Sequence, residues 1–196
     1  NETVQMIITL LGGLALFIFG MNFMSDGLQR SAGDKMRSIL AMLTRNPVLG
    51  AVAGALVTAV LQSSSATTVM VIGFVSAGLM KLPQAISVVL GANIGTTITA
   101  QLIAFDIGDY AWLFVATGFI MYFFFKKKEL ISYIGQTVFG FGVLFVGINI
   151  MGDTMKPLAA SQVFVDLMMQ VHDIPVLGVL LGTCMTVVVQ SSSATI

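Results

Sequence analysis

Six residues bearing hydroxyls or amides crowd into one apolar stretch, Gln62-Ser63-Ser64-Ser65-Ala66-Thr67-Thr68, and the run returns as Gln190-Ser191-Ser192-Ser193-Ala194-Thr195. Serine and threonine hydroxyls both donate and accept, and glutamine adds an amide that does the same. Where a helix stops and another starts at such a run, free N–H groups face an anion and free carbonyls face a cation. That is the chemistry of holding a small ion. An intramembrane serine hydrolase fits poorly, because no Gly-x-Ser-x-Gly elbow is present and the one histidine, His172, falls in a loop before Pro175. The single cysteine, Cys184, forbids an internal disulfide, and no Cys/His spacing suggests a metal site.

The elements that must position these residues are membrane helices. Of 196 residues 57% are hydrophobic and 9% charged, with 9 Lys+Arg against 9 Asp+Glu and a mean hydropathy of +0.97. A soluble domain carries about 25% charged residues, so this chain cannot clothe itself for water. Balanced charge also argues against a nucleic-acid partner, which demands a basic surplus. A crossing takes about 20 apolar residues, and uncharged intervals predict helices over 6–24, 82–105, 110–125 and 130–152. The interval 46–80 is different: too long for one crossing, too short for two, and polar in the middle. At about 1.5 Å per residue its arms, Pro47 to Leu61 and Val69 to Met80, reach only part-way through a bilayer, which predicts a re-entrant helical hairpin. A single long tilted helix whose serines bond its own carbonyls is the alternative. Residues 174–196 begin the same pattern.

An internal repeat organises the chain. At an offset of 128, Pro47-Val48-Leu49-Gly50, Gly54, Thr58, Val60 and Gln62 to Thr67 recur as Pro175-Val176-Leu177-Gly178, Gly182, Thr186, Val188 and Gln190 to Thr195. The stripe Met36, Ile39, Leu40, Leu43 returns as Phe164, Leu167, Met168, Val171 with helical spacing, predicting interfacial amphipathic helices over 34–45 and 158–172. Gly20, Asn22, Met24 and Asp26 match Gly147, Asn149, Met151 and Asp153. The expected organisation is a first repeat over 1–138 and an incomplete second repeat over 139–196, truncated at Ile196. If the hairpins do not cross, three crossings separate equivalent points, and an odd number inverts the second copy. The positive-inside rule agrees: Arg30, Lys35, Arg37, Arg45, Lys81 and Lys126 to Lys128 fall on one side and only Lys156 on the other. The expected fold is thus an all-α integral membrane protein of inverted-topology repeats, each with a transmembrane helix, an interfacial helix and a re-entrant hairpin. Loops 26–45, 81 and 126–129 are placed in the cytoplasm and the N-terminus outside, in a multi-pass protein of the inner (plasma) membrane. The flanking Phe123 to Phe125 and Lys126 to Lys128 read as an interface anchor, with no need of a lipid site.

Inverted repeats with discontinuous helices mark secondary transporters, whose site lies where the repeats meet. A second polar interruption, Gly91-Ala92-Asn93-Ile94-Gly95-Thr96-Thr97, predicts local unwinding within 82–105, with close packing of small residues as the alternative. No Lys, Arg, His, Asp or Glu lies in either hairpin or in that crossing. Proton coupling usually needs one, so a hard cation held by oxygen ligands is favoured, and sodium is the natural choice. Asp26 and Asp153, at their helix ends, are balanced between simple solvation and a place on the ion path.

Two copies of Gln-Ser-Ser-Ser-Ala-Thr in inverted halves, together with Gly-Ala-Asn-Ile-Gly-Thr-Thr, closely resemble the type II sodium-dependent phosphate cotransporter family in its bacterial form. The resemblance covers essentially the whole chain. It implies a symporter, not an enzyme, that takes up inorganic phosphate with sodium by alternating access in the lipid bilayer, with a homodimer as an expected assembly. It maps phosphate contacts onto Gln62, Ser63, Ser64, Ser65, Gln190, Ser191, Ser192 and Ser193. Sodium contacts map onto Thr67, Thr68, Asn93, Gly95, Thr96, Thr97 and Thr195. Carriage of a dicarboxylate or other small anion, and phosphate sensing without transport, remain as competing expectations.

Overall fold

In the computed structural model of the chain, residues 2–43, 46–104, 108–159, 162, 166, 169, 174–189 and 195 are described. Every regular element among them is helical: α1 (Glu2–Leu43), α2 (Pro47–Leu61), α3 (Ser64–Ser76), α4 (Leu82–Ala104), α5 (Ala111–Phe124), α6 (Glu129–Ala159) and α7 (Pro175–Val189), with a 3-10 turn at Gly108–Tyr110. Three helices are long and apolar enough to cross a membrane, over Thr3–Met42, Leu82–Ala104 and Glu129–Pro157.

α1 and α6 pack antiparallel on glycines. Gly13, Gly20 and Gly27 recur every seventh residue, which keeps them on one stripe of α1. A Cβ on Gly20 would lie 2.6 Å from the Gly140 carbonyl oxygen, and one on Gly147 would lie 2.6 Å from the Gly13 carbonyl oxygen. With no hydrophobic effect to drive helices together inside lipid, such close backbone approach supplies the dispersion contact that holds them. α6 uses a second glycine pair for α5, where a Cβ on Gly142 would stand 2.6 Å from the Val115 nitrogen. Gln136 Nε2 donates to the Phe23 carbonyl at 3.1 Å, and Asn149 Nδ2 donates to the Gly108 carbonyl at 3.0 Å. The interior between these helices centres on Phe17, Met21, Met24, Leu144 and Phe145.

The rest of α1 runs on without a break. The helices expected over 6–24 and 34–45 are one 42-residue helix, about 63 Å long at 1.5 Å per residue. Its apolar stripe has a protein partner: Leu40 is wholly buried with Val57, Leu61, Val71, Met80 and Val88, and Met36 and Ile39 pack beside it. The stretch 158–172, its expected counterpart, falls mostly outside the described residues.

α4 is also continuous, and here the expectation of unwinding over 91–97 is corrected. Its glycines serve close packing instead. A Cβ on Gly91 would stand 2.6 Å from the Ala51 carbonyl carbon, one on Gly95 would stand 2.8 Å from Thr58 Cβ, and one on Gly54 of α2 would stand 2.9 Å from the Val88 carbonyl carbon. Four-residue spacing of Gly91 and Gly95 puts both on the α2 face. The backbone through 91–97 then stays within the helical bonding of α4, so no unwound segment needs protection from lipid.

Candidate ion-binding site at the helix break

The break between α2 and α3 is written in local signals. α2 starts at Asn46, whose side chain accepts from the Val48 N–H at 2.8 Å, with Pro47 in its first turn. It stops at Gln62, which takes a left-handed φ of 54° and returns its N–H to the Thr58 carbonyl at 2.7 Å. A side chain in that conformation costs roughly 1 to 2 kcal/mol, so the surrounding bonds must hold it. Ser63 is the N-cap of α3, its Oγ accepting from the Ala66 N–H at 3.2 Å. With 15 and 13 residues, α2 and α3 span about 22 and 20 Å, each shorter than a bilayer core of about 30 Å.

Three elements fasten this tip. Thr99 Oγ1 of α4 donates to Gln62 Oε1 at 2.7 Å, while Gln62 Nε2 donates to the Ala59 carbonyl. Thr58 Oγ1 donates to Thr67 Oγ1 at 2.9 Å inside the fold, both side chains being buried. Ser25 Oγ of α1 donates at 3.0 Å to the Leu61 carbonyl, one of the acceptors left over where α2 ends. Gln29 Nε2 donates to Ser25 Oγ at 3.1 Å and completes the brace. Gln62 therefore spends its amide on holding the tip, and Ser63 spends an oxygen lone pair on the cap and keeps its O–H as a donor. Ser64 and Ser65 open α3 with hydroxyls that make no hydrogen bond among the described residues, and their N–H groups, in the first turn, have no acceptor within α3.

Beside the tip lies a cleft of about 390 Å³, lined by Asn22, Ser25, Asp26 and Gln29 of α1 and by Ser63, with Phe19 and Phe23 as its apolar wall. These oxygens suit a hard cation. Ser25, Gln29, Thr58 and Thr99 were not singled out by sequence reasoning for the site. Only Thr58 carried a signal, its recurrence as Thr186.

The expected sodium residues divide. Thr67 is buried at the tip, accepting from Thr58 and donating to the Ser63 carbonyl at 3.2 Å, and Thr68 is half-buried next to it. Gly95 faces α2. Asn93 and Thr97 sit on the exposed side of α4, and Thr96 bonds the Ala92 carbonyl of its own helix at 3.1 Å. Of the α4 residues Gly95 thus lies against Thr58 beside the tip, whereas Asn93, Thr96 and Thr97 are not bonded to the tip threonines. Gln190, Ser191, Ser192 and Ser193 lie outside the described residues. Two features of the sequence repeat recur among the described residues: α7, Pro175–Val189, starts 128 positions after α2 and has the same 15-residue length, and Thr186 Oγ1 donates to Thr195 Oγ1 at 3.0 Å as Thr58 does to Thr67. Replacing Thr58 by valine removes the bond across the break. The expected result is a loss of about 1 kcal/mol, read as a lower melting temperature of the purified protein; an unchanged temperature would show that the bond does not hold the tip.

Together these features define an all-helical membrane protein with a hydroxyl-lined helix break braced between two long helices. The sequence profile of the Na+/Pi-cotransporter family matches residues 16–153, and the chain belongs to that family. It is 31% identical to YqeW of Bacillus subtilis, named as uncharacterized, over 93% of this chain and 59% of that one. It is 29% identical to YjbB of Escherichia coli K12, whose name assigns it provisionally to inorganic phosphate export, over 97% of this chain and 35% of that one. The human sodium-dependent phosphate transport protein 2B is 38% identical over 55% of this chain and 16% of its own. The chain thus spans about three fifths of YqeW and a third of YjbB. No solved structure matches it.

Proposed function

We propose that the protein of which this chain forms part is a sodium-coupled phosphate symporter, alternating in access around two hydroxyl-rich tips. The observation that carries this reading is the start of α3, where Ser64 and Ser65 offer unengaged hydroxyls and first-turn N–H groups beside a cleft that contains the Asp26 carboxylate. An anion is favoured at the helix start, and a cation is favoured next to Asp26. Bound together they neutralise each other in a low-dielectric setting, which is a physical basis for coupling.

In this reading α2 and α3 form a re-entrant hairpin, and α7 leads to an inverted counterpart tip at 190–193. Phosphate is bound by Ser63, Ser64 and Ser65 with Gln62 as the residue that positions them, and by the corresponding residues of the second tip. Sodium is bound near Thr67, Thr68 and Thr195, and the exposed Asn93 and Thr97 face of α4 completes the ion path. The Lys-rich ends at 26–45, 81 and 126–129 lie in the cytoplasm, and the N-terminus lies outside.

Labelled phosphate uptake into proteoliposomes holding the full-length protein tests this. An inward sodium gradient is expected to drive accumulation that an equal potassium gradient does not. Sodium-independent efflux from phosphate-loaded vesicles would instead select export, the reading that the name of YjbB favours. Inhibition by succinate with no phosphate transport would select a dicarboxylate carrier.

A further inference from the structure

A second polar cleft lies between α1, α5 and α6, at the lysine-rich turn that follows α5. Arg30 of α1 and Lys126, just past α5, are far apart in sequence, yet both line this space of about 280 Å³ with Glu129, Ser132, Tyr133 and Gln136. The Arg30 guanidinium carbon stands 5.7 Å from the centre of the Tyr133 ring, and Lys126 Nζ stands 4.8 Å from the centre of the Phe123 ring. Rings can hold these cations in place but cannot neutralise them. Neither cation belongs to an ion pair; Asp153 with Lys156 is the pair found among the described residues. Glu129 is the single carboxylate lining the cleft, against Arg30 and Lys126 within it and the exposed Lys127 and Lys128 beside it. Next to the cations, Phe123, Phe124 and Phe125 are 51%, 71% and 43% exposed.

A surplus of cations in a cleft, flanked by bare aromatic surface at the end of membrane helices, matches a ligand with an anionic head and apolar tails. We propose that this cleft binds the phosphate group of an anionic phospholipid, with the acyl chains lying along Phe123 to Phe125. Free phosphate shares the head-group chemistry, but it has no use for the exposed phenylalanines. Basic pockets between membrane helices bind anionic head groups on the same physical grounds. The inference requires only that α1, α5 and α6 reach the membrane surface, and it is independent of which ion the helix break carries.

The test uses the full-length protein in a neutral detergent, with head-group-labelled phosphatidylglycerol and phosphatidylcholine as probes. Wild type is expected to retain phosphatidylglycerol in preference to phosphatidylcholine. The variant Arg30→Gln/Lys126→Gln is expected to weaken that retention about twenty-five-fold, at roughly a factor of five for each basic charge. Both side chains are exposed, so the fold should persist, and an unchanged melting temperature establishes that it does. The variant Lys127→Gln/Lys128→Gln removes as much charge outside the cleft and is expected to cost only a few-fold. Equal losses in the two variants would mean general surface charge and would overturn the site. Equal retention of the two lipids by wild type would overturn it as well, and displacement of phosphatidylglycerol by millimolar inorganic phosphate would reassign the cleft to the free anion.

Discussion

Leucine in place of Gly91 is expected to leave almost no folded protein in the membrane. Even a Cβ there would intrude on the backbone of α2, 2.6 Å from the Ala51 carbonyl carbon and 2.8 Å from its Cα. Neither helix can yield easily, because both are continuous through the contact, and α2 is fixed again by Gly54 against Val88 and by Gly95 against Thr58. Overpacking of cores costs typically 1 to 3 kcal/mol where side chains can adjust. Here only backbone is available to move, so a loss above about 3 kcal/mol is expected. Gly91→Ala should have the same sign and a smaller size. Gly73 of α3 is the internal control: nothing lies within 4 Å of its added Cβ, so Gly73→Ala should be neutral or gain up to about 1 kcal/mol from helix propensity. Detergent-extracted yield and melting temperature read all three. If Gly91→Leu melts with wild type, the α2 and α4 packing described here is wrong.

The double variant Ser64→Ala/Ser65→Ala should fold normally and lose phosphate affinity by about two orders of magnitude. Each hydroxyl would donate one hydrogen bond to a charged ligand, worth about 1.5 kcal/mol or more, and two such losses amount to roughly a hundredfold. Neither hydroxyl takes part in the described hydrogen bonds that build the tip, which separates this variant from Ser63→Ala, where the cap of α3 would be lost too. Gln62→Ala should likewise lower affinity, but together with stability, since its amide ties α2 to Thr99. Phosphate dependence of sodium-driven uptake, measured beside the melting temperature, distinguishes binding from bracing. Wild-type affinity in Ser64→Ala/Ser65→Ala would remove the start of α3 from the proposed site.

What could be read from the sequence was what neighbouring residues decide among themselves. The charge-poor composition sets the solvent as lipid. Asn46 and Pro47 start α2, and the polar run at Gln62 and Ser63 stops it, within four or five residues of backbone; the expected arm 47–61 is the observed helix. Recurrence of that pattern predicted a second arm from Pro175, and α7 occupies it. Tertiary structure decided what depends on partners far along the chain. Gly91 and Gly95 are compatible with unwinding or with close contact, and only the presence of the α2 backbone selects a continuous helix. The crossing expected over 6–24 does not end there, and α1 continues through 25–35 because Leu40, Met36 and Ile39 have a core to enter. Gln29 and Ser25 become braces of the tip, and Arg30 becomes a neighbour of Lys126, through the glycine-mediated pairing of α1 with α6 and the seating of α2 against both α1 and α4. Such pairings depend on the facing backbone more than on side-chain identity, and many glycine spacings would serve, so local pattern could not name the partners.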